Sequence, residues 1–366
     1  MKPDILLLRA LRHPDQLAAC TLADWDILLR QAAAANLLAR LYYLVEQHGL
    51  VERVPASALV HLGWARVAAE RHAQAVRWEV RQVRQALAAL DAPLILLKGA
   101  AYAMAKLPPA AGRLFSDIDI LVPPDRLAQA EGALLLHGWV ATHLDEYDQR
   151  YYRQWMHELP PMMHVKRQTA IDVHHAILPL TAPVHPDPAQ LRAAATGIPG
   201  ESGLQTLAPA DLVLHSATHL FFDGELEHGM RDLADIDGLL RHFGTDIAFW
   251  QALTLRARRL ELARPLFYAL RYSSLLLHTP VPDEAMAAAA QGGGRPPAPL
   301  LALMDQLFGR ALLPAHSSCS DALTPAARLL LYIRANWLRM PPLMLARHLF
   351  HKAFLSPRHE KSEQNI

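Results

Sequence analysis

The chain has 366 residues, 52% of them hydrophobic and 19% charged, with a formal net charge of +1. That length suffices for more than one sizeable core, and the near-neutral charge gives no case for binding a long nucleic acid. Two cysteines without a C-x-x-C spacing exclude a disulfide framework and a cysteine zinc site, and the lack of any apolar run of about 18 residues argues against a membrane span. With no signal-peptide pattern at the N-terminus, the cytoplasm is the expected location.

Residues 1–90 read as an N-terminal helical region. Thr21 followed by Asp24 has the form of a capping box at a helix start. Pro55 and Ser57 open a long helix carrying Arg66, Arg71, Arg77, Arg81 and Arg84. These read as a solvated face or as a basic face toward an anionic partner. This layer is expected to pack on a sheet that follows.

Residues 91–180 read as an α/β unit. The apolar run Leu94–Leu97 predicts a buried strand, Lys98 and Gly99 a turn that can meet a ligand, and Ala100–Leu107 a helix ended by Pro108 and Pro109. The next strand is Ser116-Asp117-Ile118-Asp119-Ile120-Leu121-Val122. Successive strand side chains point to opposite faces, so Asp117 and Asp119 share one face and Ile118, Ile120 and Val122 the other. A helix over Arg126–His137 ends at Gly138, and Trp139–Thr142 is a candidate third strand. Residues 143–158 read as loop and short helix bordering a pocket. Pro161–Lys166 and Thr169–Ala176 form a hairpin about Arg167 and Gln168. In its second strand Asp172 and His174 share a face, and the hairpin is expected to bring Asp172 beside the Asp117–Asp119 strand.

Two carboxylates side by side repel, and a divalent cation with a preference for hard oxygen ligands removes the repulsion. Solvated aspartates at an exposed strand end are the other reading of this pair taken alone.

Strand, Lys98-Gly99, helix, then Gly112-Arg113-x-x-Ser116-Asp117-Ile118-Asp119 resembles the signature of the DNA polymerase β-like nucleotidyltransferase superfamily, and more narrowly a bacterial family labelled uncharacterised nucleotidyltransferase. The Ile171-Asp172-Val173-His174 strand is similar to that family too. The resemblance implies an α+β fold: a small mixed nucleotidyltransferase sheet with helices, flanked by N- and C-terminal helical regions. It implies that Asp117, Asp119 and Asp172 are catalytic and bind two Mg²⁺ ions. A nucleoside triphosphate would lie over the Lys98-Gly99-Ala100 turn. Transfer of its NMP group to a hydroxyl-bearing acceptor (a small molecule, peptide or protein) would release pyrophosphate. Lys98, Arg113, Ser116 and Arg231 are the further candidates to meet the nucleotide. Gly99 is followed by Ala100 where the superfamily has Ser or Gly, so a hydroxyl toward phosphate is missing and backbone N–H groups would have to serve. That departure keeps open a non-catalytic nucleotide-binding accessory protein on the same fold.

Residues 179–203 read as a connecting loop, and 204–290 as a helical domain closing the site. His215 and His219 share a helix face. With His174, His175 or His228 they are either ligands for a transition metal, as in a metal phosphohydrolase, or polar packing under the site. In the helix Arg231–Leu240, Leu233, Ile236 and Leu240 face the core, and Arg231 is spaced to pair with Asp235. Gln291–Pro299 reads as a flexible linker. Residues 300–355 read as C-terminal helices, basic toward the end with Trp337, Arg339, Arg347, His348, His351 and Lys352, packed as a terminal layer or lying on a membrane surface. Residues 356–366 read as a disordered tail.

Overall fold

The structure, a computed structural model, describes residues 5–143, 145–222 and 226–347. It begins with helices α1 (Leu6–Arg12), α2 (Leu22–Ala34), α3 (Leu38–Gln47) and the long α4 (Ala56–Ala86). The predicted capping box is present: Thr21 Oγ1 accepts from Asp24 N–H at 3.2 Å, and Asp24 Oδ2 accepts from Thr21 N–H at 2.9 Å.

Strand β1 (Leu94–Leu96) leads into α5 (Lys98–Ala105), then β2 (Asp117–Leu121), α6 (Leu127–Leu136), β3 (Trp139–Ala141), α7 (Glu146–Trp155), β4 (Met162–His164) and β5 (Ala170–His174). Helix α5 starts two residues earlier than the composition suggests. The turn at Lys98 and Gly99 is therefore a helix N-terminus. A short helix α8 (Pro188–Ala194) and strands β6 (Thr196–Gly197) and β7 (Leu204–Thr206) follow. Helix α8 and strand β6 fall within the connecting loop expected over 179–203. Asp187 caps α8 by accepting from Ala189 N–H at 2.9 Å, and Pro188 sits at its first position.

The described residues form a seven-stranded mixed sheet in the order β3-β4-β5-β2-β1-β7-β6. Two pairings decide the site. Strand β1 runs antiparallel to β2, and β2 runs parallel to β5 with Asp119 opposite Asp172. The β4–β5 hairpin is thus as expected, and Asp172 lies beside the Asp117–Asp119 strand. Ile118, Ile120, Ile171 and Val173 are buried on the other face. Glu79 of α4 clamps the hairpin turn, accepting from Arg167 Nη2 at 2.7 Å and from Thr169 Oγ1 at 2.8 Å. The N-terminal layer therefore does pack on the sheet, as expected, and holds the strand that carries Asp172.

Helices α9 (Pro209–Phe222), α10 (Gly229–Phe243), α11 (Ile247–Arg259), α12 (Ala263–Leu277), α13 (Asp283–Ala290), α14 (Ala298–Ala311) and α15 (Thr324–Arg339) complete the fold. Phe221, Tyr268, Tyr272 and Phe308 join α9, α12 and α14 through ring contacts 5.1–5.9 Å between centroids. Helix α15 buries Ala327, Leu331 and Ala335 and leaves Leu329, Ile333 and Trp337 exposed. His348, His351, Lys352 and the tail over 356–366 lie outside the described residues. Among the described residues no helix is long and apolar enough to cross a membrane.

Candidate active site

The site forms where the N-terminus of α5, the start of β2 and the N-terminal half of α10 converge on a cavity of about 270 Å³. Lys98, Gly99, Arg113, Ser116, Asp117, Asp119 and Arg231 all line it. Ala100 is buried beneath it. Asp172 stands beside it. One carboxylate oxygen from each of Asp117, Asp119 and Asp172 lies within 4.8 Å of the others.

The backbone explains the convergence. Leu97 N–H donates to Asp119 O at 2.9 Å, which ties the start of α5 to β2. Lys98 takes a φ of +41°, a left-handed conformation that costs a non-glycine residue roughly 1–2 kcal/mol. The helix then begins with Gly99 and Ala100 in its first turn, where N–H groups have no intrahelical carbonyl to bond. A Cβ on Gly99 would lie 2.9 Å from Phe115 Cδ1 and 3.3 Å from Arg113 Nε, so only glycine fits without displacement. Gly112, at φ +71°, permits a closer approach still: a Cβ there would meet the backbone N of Arg40 at 2.4 Å.

The carboxylates differ electrostatically. Asp119 is 3% exposed. Burial alone would raise its pKa, but Lys98 Nζ at 3.4 Å and His174 Nε2 at 3.0 Å from Oδ1 outweigh burial and hold it well below the carboxylate range. Burial pushes Asp172 up to about 7, with Asp119 and Glu158 adding like-charge repulsion. Asp117 is raised by burial and then by Asp119, while Ser116 Oγ donates to its Oδ1 at 2.8 Å. An oxygen-only donor set in which Asp117 and Asp172 are pushed against ionisation while Asp119 stays anionic fits a divalent cation such as Mg²⁺.

Other residues at the cavity were not anticipated. Asp235 of α10 accepts from Arg40 Nη2 at 2.7 Å and contacts Arg113 Nη1. Arg231 pairs with its neighbour Asp232 at 2.8 Å. The expected Arg231–Asp235 pair is therefore not what α10 makes: Asp235 points inward, 3% exposed, to guanidiniums from distant parts of the chain. Arg40 and Arg113 are both lowered by burial, Arg40 to about 10, and guanidiniums keep their charge near neutral pH. Tyr102 Oη and Ser216 Oγ share a hydrogen bond of 2.6 Å that joins α5 to α9.

His219 and His228 line the cavity, whereas His215 is buried near Lys98. Among the described residues, the clusters able to hold a metal do not include His215, His219 or His228.

A family model described as uncharacterised nucleotidyltransferase matches residues 21–278. No curated protein and no solved structure matches the chain. The matched span runs from the capping box of α2 to the end of α12 and so contains the sheet, the carboxylate cluster and the cavity. The chain belongs to the uncharacterised nucleotidyltransferase family.

Proposed function

We propose that the protein moves the NMP group of a nucleoside triphosphate to a hydroxyl-bearing acceptor and releases pyrophosphate. The observation that carries this reading is the carboxylate cluster, with oxygens of Asp117, Asp119 and Asp172 within 4.8 Å of one another at a polar cavity. These residues would hold two Mg²⁺ ions, which when bound neutralise triphosphate charge and favour the alkoxide of the acceptor. Asp119, kept anionic by Lys98 and His174, is the permanent charge of the set. Asp172, the third carboxylate of the set, is placed to accept the hydroxyl proton. The first-turn N–H groups at Gly99 and Ala100 are donors for phosphate oxygens, which offsets the hydroxyl missing at Ala100. Lys98, Arg113, Ser116 and Arg231 would line the phosphates. With a formal net charge of +1 the acceptor is a small molecule, peptide or protein rather than a long nucleic acid.

A second reading is a nucleotide-binding accessory protein on the same fold. It is favoured by Arg113 and Arg231 both being engaged by carboxylates of α10.

The test is calorimetry of ATP, GTP, CTP and UTP with Mg²⁺ on the wild type and on Asp117→Ala. Tight binding of one triphosphate that is lost without metal or Asp117, followed by pyrophosphate release once an acceptor is found with labelled nucleotide, is the expected result. Binding that survives Asp117→Ala would overturn the assignment. Binding without turnover over a broad acceptor screen would favour the second reading.

A further inference from the structure

A second group of metal-ligating side chains lies behind the aspartates. His157, Glu158 and His174 each offer one ligand atom, all within 4.8 Å of one another. The backbone fixes this grouping. Residues 157–159 run antiparallel to the end of β5: His175 N–H donates to His157 O at 2.8 Å and Leu159 N–H to Val173 O at 2.9 Å, with Glu158 and His174 as bridge partners.

Three features separate this group from ordinary polar packing. Its donors are two imidazoles and one carboxylate, a set that suits zinc and other borderline ions rather than Mg²⁺. Nδ1 of His157 and Nδ1 of His174 are both buried without a hydrogen-bond partner among the described residues. His174 Nδ1 is 3.2 Å from Glu158 Oε2, within ion-pair range but outside hydrogen-bond geometry. Buried nitrogens are normally satisfied, and an orphan pays its desolvation with no bond in return. Finally, the other nitrogen of His174 is already committed: Nε2 is 3.0 Å from Asp119 Oδ1. With Nε2–H donating to Asp119, a cation that displaces any proton from Nδ1 would find its lone pair there, the arrangement by which a carboxylate orients a metal-bound histidine.

We propose that His157, Glu158 and His174 form a cation site of their own, taking a borderline transition-metal ion such as Zn²⁺. Three protein ligands leave a coordination position open for water or a substrate group. His174 bridges this site and the aspartate cluster, so an ion here fixes the ring that anchors Asp119. Its role toward Asp119 is positioning. The site rests on its own residues and does not depend on nucleotidyl transfer.

The test strips full-length protein with a chelator, reloads it with Zn²⁺, removes excess by dialysis and measures metal content. The expected result is one Zn²⁺ per chain in the wild type and in Asp117→Asn, and none in His157→Gln or Glu158→Gln with unchanged circular dichroism. A folded wild type that retains no Zn²⁺ would overturn the proposal. So would retention in His157→Gln equal to wild type, or loss in Asp117→Asn alone, which would place the ion on the aspartates. If the histidine variant does not fold, competition on the wild type decides. Zn²⁺ held against a large excess of Mg²⁺ supports the nitrogen site, and displacement by Mg²⁺ refutes it. Because the readout is metal content, it is independent of triphosphate binding. A failure of either reading leaves the other standing.

Discussion

Asp119 and Asp172 are register partners on parallel strands, yet their surroundings shift their proton affinities in opposite directions. Lys98 and His174 outweigh burial at Asp119 and keep it ionised; burial, with Asp119 and Glu158 as like charges, carries Asp172 up to about 7. Two neighbouring carboxylates with separated affinities for a proton can divide the roles of fixed anion and proton acceptor.

The two aspartates of β2 should respond differently to removal. Asp119→Ala strips the carboxylate from Lys98 and from a buried His174, and breaking such a pair costs about 3 kcal/mol or more. Asp117→Ala removes a carboxylate that burial and Asp119 already disfavour, so the metal-free protein should keep its stability or gain slightly. Both variants should lose metal-dependent triphosphate binding. Urea unfolding in chelator checks the stability contrast; equal losses in the two variants would contradict the charge assignment.

Gly112 and Gly99 make a second contrast. A Cβ at Gly112 meets Arg40 N at 2.4 Å and Ala39 C at 2.6 Å, both backbone, at a φ of +71°. Gly112→Ala should cost about 3 kcal/mol, from a left-handed alanine and a forced shift of the first turn of α3. At Gly99 the nearest atom is Phe115 Cδ1 at 2.9 Å, the end of a side chain that can turn. Gly99→Ala should cost about 1 kcal/mol, but the displaced Phe115 and Arg113 line the cavity, so triphosphate affinity should drop more than stability. Thermal melts and calorimetry on the pair separate these effects.

How much of this was legible depends on whether a signal is local. The alternation over Asp117–Ile120 and over Ile171–His174 marks both strands and the face of each carboxylate without knowledge of the fold. The capping box at Thr21 and Asp24 is equally local. Strand β6 was hidden because Thr196 and Gly197 are both exposed and carry no hydrophobic pattern. Helix α8 was masked by its proline- and alanine-rich surroundings, although Asp187-Pro188 is a helix start. Asp235 was misassigned for a different reason. Its spacing from Arg231 suggests a surface pair, but its real partners, Arg40 and Arg113, reach it only through tertiary packing. His157 and Glu158 lie in a segment without periodicity, and only the pairing with β5 brings them to His174.

That tertiary ion network has a measurable worth. Asp235 faces two guanidiniums, and Arg40 also donates to Pro109 O at 2.8 Å. Asp235→Ala leaves two buried cations without this partner and should destabilise by about 3–5 kcal/mol. Adding Arg40→Met should recover part of the loss, because replacing both members of a buried pair is cheaper than removing one. A double variant less stable than Asp235→Ala alone would show that Arg40 contributes mainly through Pro109.

The acid side of the stability curve should carry the signature of His215. Burial lowers its pKa to about 3, with Lys98 and His174 acting in the same direction and Asp119 against it. In the unfolded chain the ordinary value is about 6.5. As pH falls below about 6.5 the unfolded state takes up a proton that the folded state refuses, so stability drops by up to about 1.4 kcal/mol per pH unit for this one group until about pH 3. Asp172 acts oppositely: its folded value of about 7 lies above the unfolded one, so its contribution rises as pH falls from 7 toward 4. The wild-type slope is therefore a sum, and the histidine is isolated by difference. His215→Leu should unfold with a pH dependence between 6.5 and 4.5 shallower by close to one proton than that of the wild type, as read from urea midpoints across that range. Identical slopes would mean that His215 is already protonated in the folded protein, or reached by water, and that the apolar packing around it in α9 is not as tight as its burial implies.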